Sequence, residues 1–158
     1  MRGRFLFLLL ALVSGCPGEP AGPVESGSLV LERVGADTGT LVSGPARARW
    51  CSADSMLTIL VMGSPWSGAV SMRTPWPPLR LFSVDSLASG VGIGTVAARP
   101  TGDSIGAAIV SRSGTIEVDS GLPLTGRLYF ESGMDSTLAT IAGRFEGIRP
   151  DTTVCSLP

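Results

Sequence analysis

Gly102-Asp103-Ser104-Ile105-Gly106 has the spacing of a nucleophile elbow, where a serine on a strained strand-to-helix turn hands its proton to a histidine. The chain contains no histidine, and no helical period follows Ser104, so the match implies no acyl transfer. Lysine is absent too. The commonest general base, metal ligand and Schiff-base former are therefore missing. Gly90-Val91-Gly92-Ile93-Gly94 is glycine-rich, but Thr95 stands where a dinucleotide fingerprint needs its third glycine; it reads as a bent strand. Glu117 and Asp119 project from one strand face and offer the oxygen ligands that calcium takes, but the clustered Asp, Asn and Gly of a dedicated loop are missing. A solvated strand face accounts for that pair equally well. No catalytic residue, metal site or cofactor is expected, and the chain reads as a non-enzyme.

Two side-chain classes remain that could recognise or cross-link. Trp66 and Trp76 each follow a proline, in Ser64-Pro65-Trp66-Ser67 and Thr74-Pro75-Trp76-Pro77-Pro78. These rigid loops sit at opposite ends of a short expected strand, Ala69 to Met72. Exposed, the two rings could stack on sugars or grip a partner; buried, they would plug the ends of a core. Cys51 and Cys155, an even pair in a chain that reads as exported, are expected to form a disulfide closing a loop of about 100 residues; the alternative is two buried thiols with no histidine to activate them. A bond requires Cα atoms within about 7 Å. It would bring the exit of the last strand beside the end of an early one.

The elements that must position these residues are strands. From Ser28 onward, apolar residues recur in short β-branched runs punctuated by Gly, Pro, Asp and Ser, without a sustained 3.6 period. Candidate strands are Leu29–Val34, Ala46–Trp50, Met56–Met62, Ala69–Met72, Leu79–Val84, Val91–Ala98, Ile105–Val110, Thr115–Asp119, Leu124–Glu131 and Leu138–Ile148. Turns are expected at Asp37-Thr38-Gly39 and Ser132–Ser136, and a single helical turn at Ser86–Gly90. In Ala46–Trp50 the arginines Arg47 and Arg49 alternate with apolar residues, as on a half-solvated strand. Gly126-Arg127-Leu128 and Gly143-Arg144-Phe145 lie on consecutive strands, with the glycines on the inward face. They read as a hairpin in which glycine permits a bend or close packing. The whole is all-β: one antiparallel β-sandwich or barrel of about nine or ten short strands.

Arg2 and Arg4 precede an unbroken apolar run, Phe5 to Val13, the shape of a secretory signal. The run falls short of the roughly 20 residues a spanning helix needs. Val13-Ser14-Gly15-Cys16 resembles the lipobox of bacterial lipoproteins. That resemblance implies diacylglyceryl transfer to the Cys16 thiol, cleavage after Gly15 and acylation of the new terminus. Pro17, in place of the aspartate that commonly retains such proteins in an inner membrane, favours an outer one. Pro17 to Gly27 holds three prolines and three glycines and reads as a flexible tether, spanning roughly 18 Å on average. The expected organisation is a signal at 1–15, the lipidated cysteine and linker at 16–27, and one β domain at 28–158. Downstream, the run Gly114-Thr115-Ile116-Glu117-Val118, the two Gly-Arg strands and the final cysteine are similar to those of small β-rich envelope lipoproteins.

All twelve basic residues are arginines, two of them in the signal, against thirteen acids. No basic run appears, which argues against a nucleic-acid surface. The sequence therefore leads to a lipid-anchored protein of the cell envelope, facing the periplasm or the cell surface. Its β domain would act as an interaction module for an envelope protein or glycan; the alternative is a small barrel holding an apolar ligand or a glycan, with Trp66 and Trp76 near its mouth. Exchanging Cys16→Ser should yield an unacylated protein that no longer partitions into detergent. Intact mass and phase partitioning check this, and an unchanged mass with unchanged partitioning refutes it.

Overall fold

The computed structural model describes residues 27–35, 38–63, 65–101, 108–134, 137–152 and 155. The expected signal, Cys16, the tether before Gly27, Asp37 and the Gly102–Gly106 motif lie outside the described residues. Ten strands follow in chain order: β1 Gly27–Val34, β2 Gly39–Cys51, β3 Met56–Val61, β4 Trp66–Arg73, β5 Leu81–Asp85, β6 Ile93–Pro100, β7 Ile109–Gly121, β8 Leu124–Met134, β9 Thr137–Ile148 and β10 Pro150–Asp151.

They form a closed nine-stranded barrel with one extra strand. Eight strands run up and down as an antiparallel meander, β1-β2-β3-β4-β6-β7-β8-β9, and β9 pairs back onto β1. The ninth, β5, is wedged between β6 and β7, parallel to the first and antiparallel to the second. The extra strand, β10, lies parallel to β2, with Pro150 opposite Ala48 and Asp151 opposite Arg49. Closure leaves most backbone N–H and C=O groups paired, the general solution to exposed sheet edges. Register shifts at Leu31/Glu32, Val118/Ser120 and Leu124/Gly126 supply local bends of the kind that wrap a sheet onto itself.

Several expectations are corrected. Of the two expected architectures, sandwich or barrel, the sheet is the barrel; the expected all-antiparallel pairing is corrected, since two of its pairings are parallel. Ile109–Gly121 is one strand where two were expected, because Ser111 to Ser113 carry the register shift that breaks the alternation without ending the pairing. Strand β8 extends into the expected Ser132–Ser136 loop, to Met134, and β9 begins at Thr137, one residue before the expected Leu138. Ser86–Gly90 forms bends, not a helical turn; the Asp85 carboxylate accepts from the Leu87 and Ala88 N–H groups and holds the chain in a local turn. Gly90 and Gly92 have positive φ, so Val91-Gly92 is a turn and β6 starts only at Ile93. Gly27, assigned to the tether, is the first residue of β1.

One buried cluster fills the bore: Leu29 and Leu31 from β1, Leu57 and Ile59 from β3, Phe82, Ile116, Phe130, Ile141 and Phe145 among others. Where β5 forks β6 from β7, the ladder leaves the Val96 N–H without a strand partner, and the buried Ser111 hydroxyl accepts it at 2.8 Å. The two Gly-Arg motifs meet in register: Gly126 opposite Phe145, Arg127 opposite Arg144, Leu128 opposite Gly143. Each large side chain lies over the other strand's glycine.

Cys51 and Cys155 are bonded, with Cα atoms 4.9 Å apart and a sequence separation of 104. The bond pins the tail just beyond β10 to the end of β2. In the chain-entropy account, a loop of this length is worth about 4.7 kcal/mol.

A Cβ at Gly126 would collide with the Phe145 ring and the Glu117 carbonyl oxygen, whereas one at Gly39 would meet nothing within 4 Å. Gly126→Ala should therefore cost about 1–3 kcal/mol through overpacking, and Gly39→Ala should be close to neutral. Thermal melts of the two variants beside the parent check the contrast; equal midpoints would contradict it.

Candidate outer-wall site

The barrel has two rims. At the first lie the β2–β3 turn, the Thr74–Arg80 segment, the Leu122-Pro123 turn, the tail beyond Ile148 and the start of β1; at the second lie the β1–β2, β3–β4, β6–β7 and β8–β9 connections. Trp66 opens β4 at the second rim, and Trp76 follows Arg73 at the first. The whole of β4 separates the two rings, so they do not share one mouth. Both are half-buried. Trp66 packs against the core, and Trp76 tilts against Trp50 with ring centroids 5.7 Å apart.

Thr74, which sequence reasoning passed over, organises the first rim. It is fully buried. Its hydroxyl accepts from the Leu79 N–H at 2.9 Å and donates to the Pro75 carbonyl at 3.0 Å. Its carbonyl accepts from the Trp50 indole N–H at 3.1 Å, and its N–H donates to the Ser55 carbonyl at 2.8 Å. A threonine in a Pro-rich run is the only mark of this in the sequence.

The outer wall of β7, β8 and β9 carries an open groove of about 290 Å³, lined by Thr115, Glu117, Arg127, Leu128, Tyr129, Ala142 and Gly143. Two outward cross-strand rows build it. One runs Val30, Arg144, Arg127, Glu117, Leu81; the next runs Glu32, Ala142, Tyr129, Thr115, Ser83. Glu117 faces Arg127 directly, and its Oε2 accepts from both Nε and Nη2 at 2.6 Å. This bond, with the Glu117 and then the Asp119 charge behind it, holds the Arg127 guanidinium above its ordinary value. A raised arginine loses its contribution only as pH climbs through that folded value, so Arg127 brings no pH dependence near neutrality. Tyr129 stands beside the pair with 52% of its surface exposed. The site thus offers an aromatic face, a fixed cation–carboxylate pair and a hydroxyl, which suits recognition by stacking and hydrogen bonding.

Glu117 is bonded to Arg127, and among the described residues no group of three or more His, Cys, Asp or Glu could hold an ion. Arg49, expected on a half-solvated face, is half-buried because β10 lies beside it. Its Nε and Nη1 have no hydrogen-bond partner among the described residues.

No described helix is long and apolar enough to cross a membrane. The wall itself carries exposed Arg47, Arg99, Arg127, Glu131, Arg144 and Glu146 around an apolar bore. That is the reverse of the apolar-out, polar-in alternation of membrane-spanning barrels. Fold and site together define a small closed β-barrel with a filled bore and a polar, grooved outer wall. No family model, curated protein or solved structure matches the chain.

The Glu117–Arg127 pair is exposed on both sides, so it should contribute little to folding. Arg127→Gln is expected to leave the thermal midpoint within the error of the measurement. A clear drop would show the pair to be structural and not part of a recognition surface.

Proposed function

We propose that this chain is a lipid-anchored protein of the cell envelope whose barrel is a non-enzymatic interaction module, binding through its outer wall. The observation that carries the reading is the exposed Tyr129 ring beside the Glu117–Arg127 pair in an open groove, on a barrel whose bore is filled by its own side chains. In an eight- or nine-stranded barrel the interior is only wide enough for side chains or one small ligand; here the side chains take the space. The anchor rests on the register of Arg2, Arg4, the apolar run and Val13-Ser14-Gly15-Cys16. Multiple acyl chains on Cys16 would hold the protein at the bilayer surface, since each buried methylene contributes about 0.8 kcal/mol. The mild acidic balance fits a protein or glycan partner and not a nucleic acid.

A glycan is the second reading, favoured by the open aromatic face: a sugar ring stacks on tyrosine while its hydroxyls reach Thr115 and Glu117. Photo-crosslinking in intact cells tests the surface. A photoreactive amino acid replacing the exposed Thr115 should give a discrete adduct that weakens with Tyr129→Ala, and the same probe at Arg99, on the wall formed by β6, should give none. Equal yields from both positions, or none from either, would defeat the proposal.

A further inference from the structure

The first rim of the barrel is apolar where a water-facing rim has no need to be. Val91 is 64% exposed and Leu122 68%, with Leu79 exposed beside them. The groups are neighbours through the chain's own packing. Pro78, next to Leu79, approaches Gly121, next to Leu122, and the Leu79 side chain approaches Gly92, next to Val91. Exposed Arg73 and Arg80 flank them, and half-buried Trp76 stands in the same segment. Exposed apolar groups gathered on one rim of a small domain mark a contact surface.

The direction of β1 says what covers it. β1 runs from this rim toward the other, antiparallel to β2 and β9. Its first residue, Gly27, is so close to the Glu146–Ile148 backbone that no Cβ fits; Ile148 in turn pairs with Leu124, immediately beyond the Leu122-Pro123 turn. The chain that leads back to Cys16 therefore joins the barrel with its start facing the leucine rim. Ten residues, Pro17 to Ser26, lie between Cys16 and Gly27; even fully extended they reach at most about 36 Å, less than the thirteen-residue strands β2 and β7, which extend about 43 Å at 3.3 Å per residue.

We propose that the Leu79, Val91, Leu122 rim docks on the phospholipid surface to which the chain is anchored, leaving the outer-wall groove free to face a partner. The proposal rests on the lipid-anchor reading above. Leucines immersed at the headgroup boundary, with arginines reaching back to phosphates and a tryptophan at the interface, are the chemistry of peripheral membrane contact.

The tryptophans report on it without added probes, because Trp50 and Trp76 lie at this rim and Trp66 at the other. The full-length protein from its native membrane is reconstituted into vesicles of phosphatidylethanolamine and phosphatidylglycerol with brominated acyl chains, which quench nearby indoles. The proposal expects stronger fractional quenching in Trp66→Phe than in the parent and weaker quenching in Trp76→Phe. The exposed-site double variant Val91→Ser, Leu122→Ser should roughly halve the quenching. Absence of quenching, or quenching that follows Trp66, overturns the docked rim. Intact mass, measured on the same sample, reports the Cys16 acyl groups separately: quenching without acylation would remove the anchor and keep the rim, and acylation without quenching would do the reverse.

Discussion

Phe145 lies across the strand from Gly126, and Leu128 across from Gly143, and the rest of the barrel depends on that exchange of volume. A bore of this strand number has room for one layer of large side chains at a given height. Three phenylalanines, Phe82, Phe130 and Phe145, are among its fully buried groups. They fit because facing positions give up their own side chains. Besides Gly126 and Gly143, Gly94 lets the Ile116 side chain approach within 2.6 Å of where a Cβ would stand. Close packing of this kind tolerates neither an extra methyl nor a missing one cheaply.

The same pairing that fills the inside arranges the outside. Side chains alternate along a strand, so a register that puts Gly126 over Phe145 must also put Arg127 beside Arg144 on the outer wall. Two like charges directly opposite each other are unfavourable, and Glu117, next in the row on β7, is bonded to Arg127. Core packing thus dictates the register, and the register assembles the charged row beside Tyr129 that makes the outer groove. Recognition chemistry here is a consequence of how the bore is filled, and it sits on rigid strands rather than on loops.

Two insertions break the simple meander. β5 forks β6 from β7, and β10 takes the place beside β2 beyond the start of β1. Each costs the ladder some regular pairing. Each is fastened by a specific bond, the Ser111 hydroxyl at the fork and the Cys51–Cys155 bridge at the tail. Both insertions also shape the first rim, where Thr74 ties the Pro-rich segment to the β2–β3 turn and the apolar side chains gather.

The sequence by itself determined the all-β class, the positions of most strands, the inward face of Gly126 and Gly143, and the cysteine pair. These follow from local alternation, turn residues and cysteine number, which need no knowledge of what lies across the sheet. It left sandwich and barrel equally open, since both present the same alternation; only the β9-to-β1 pairing decides for closure. It split β7 in two because a register shift looks, in one dimension, like the end of a strand. It singled out Trp66 and Trp76 as the candidate binding residues, and β4 holds them at opposite rims. It gave no sign that Glu117, Arg127 and Tyr129 would share a groove. Those residues are ordinary strand-face residues until cross-strand register, a property of the closed sheet alone, brings them side by side.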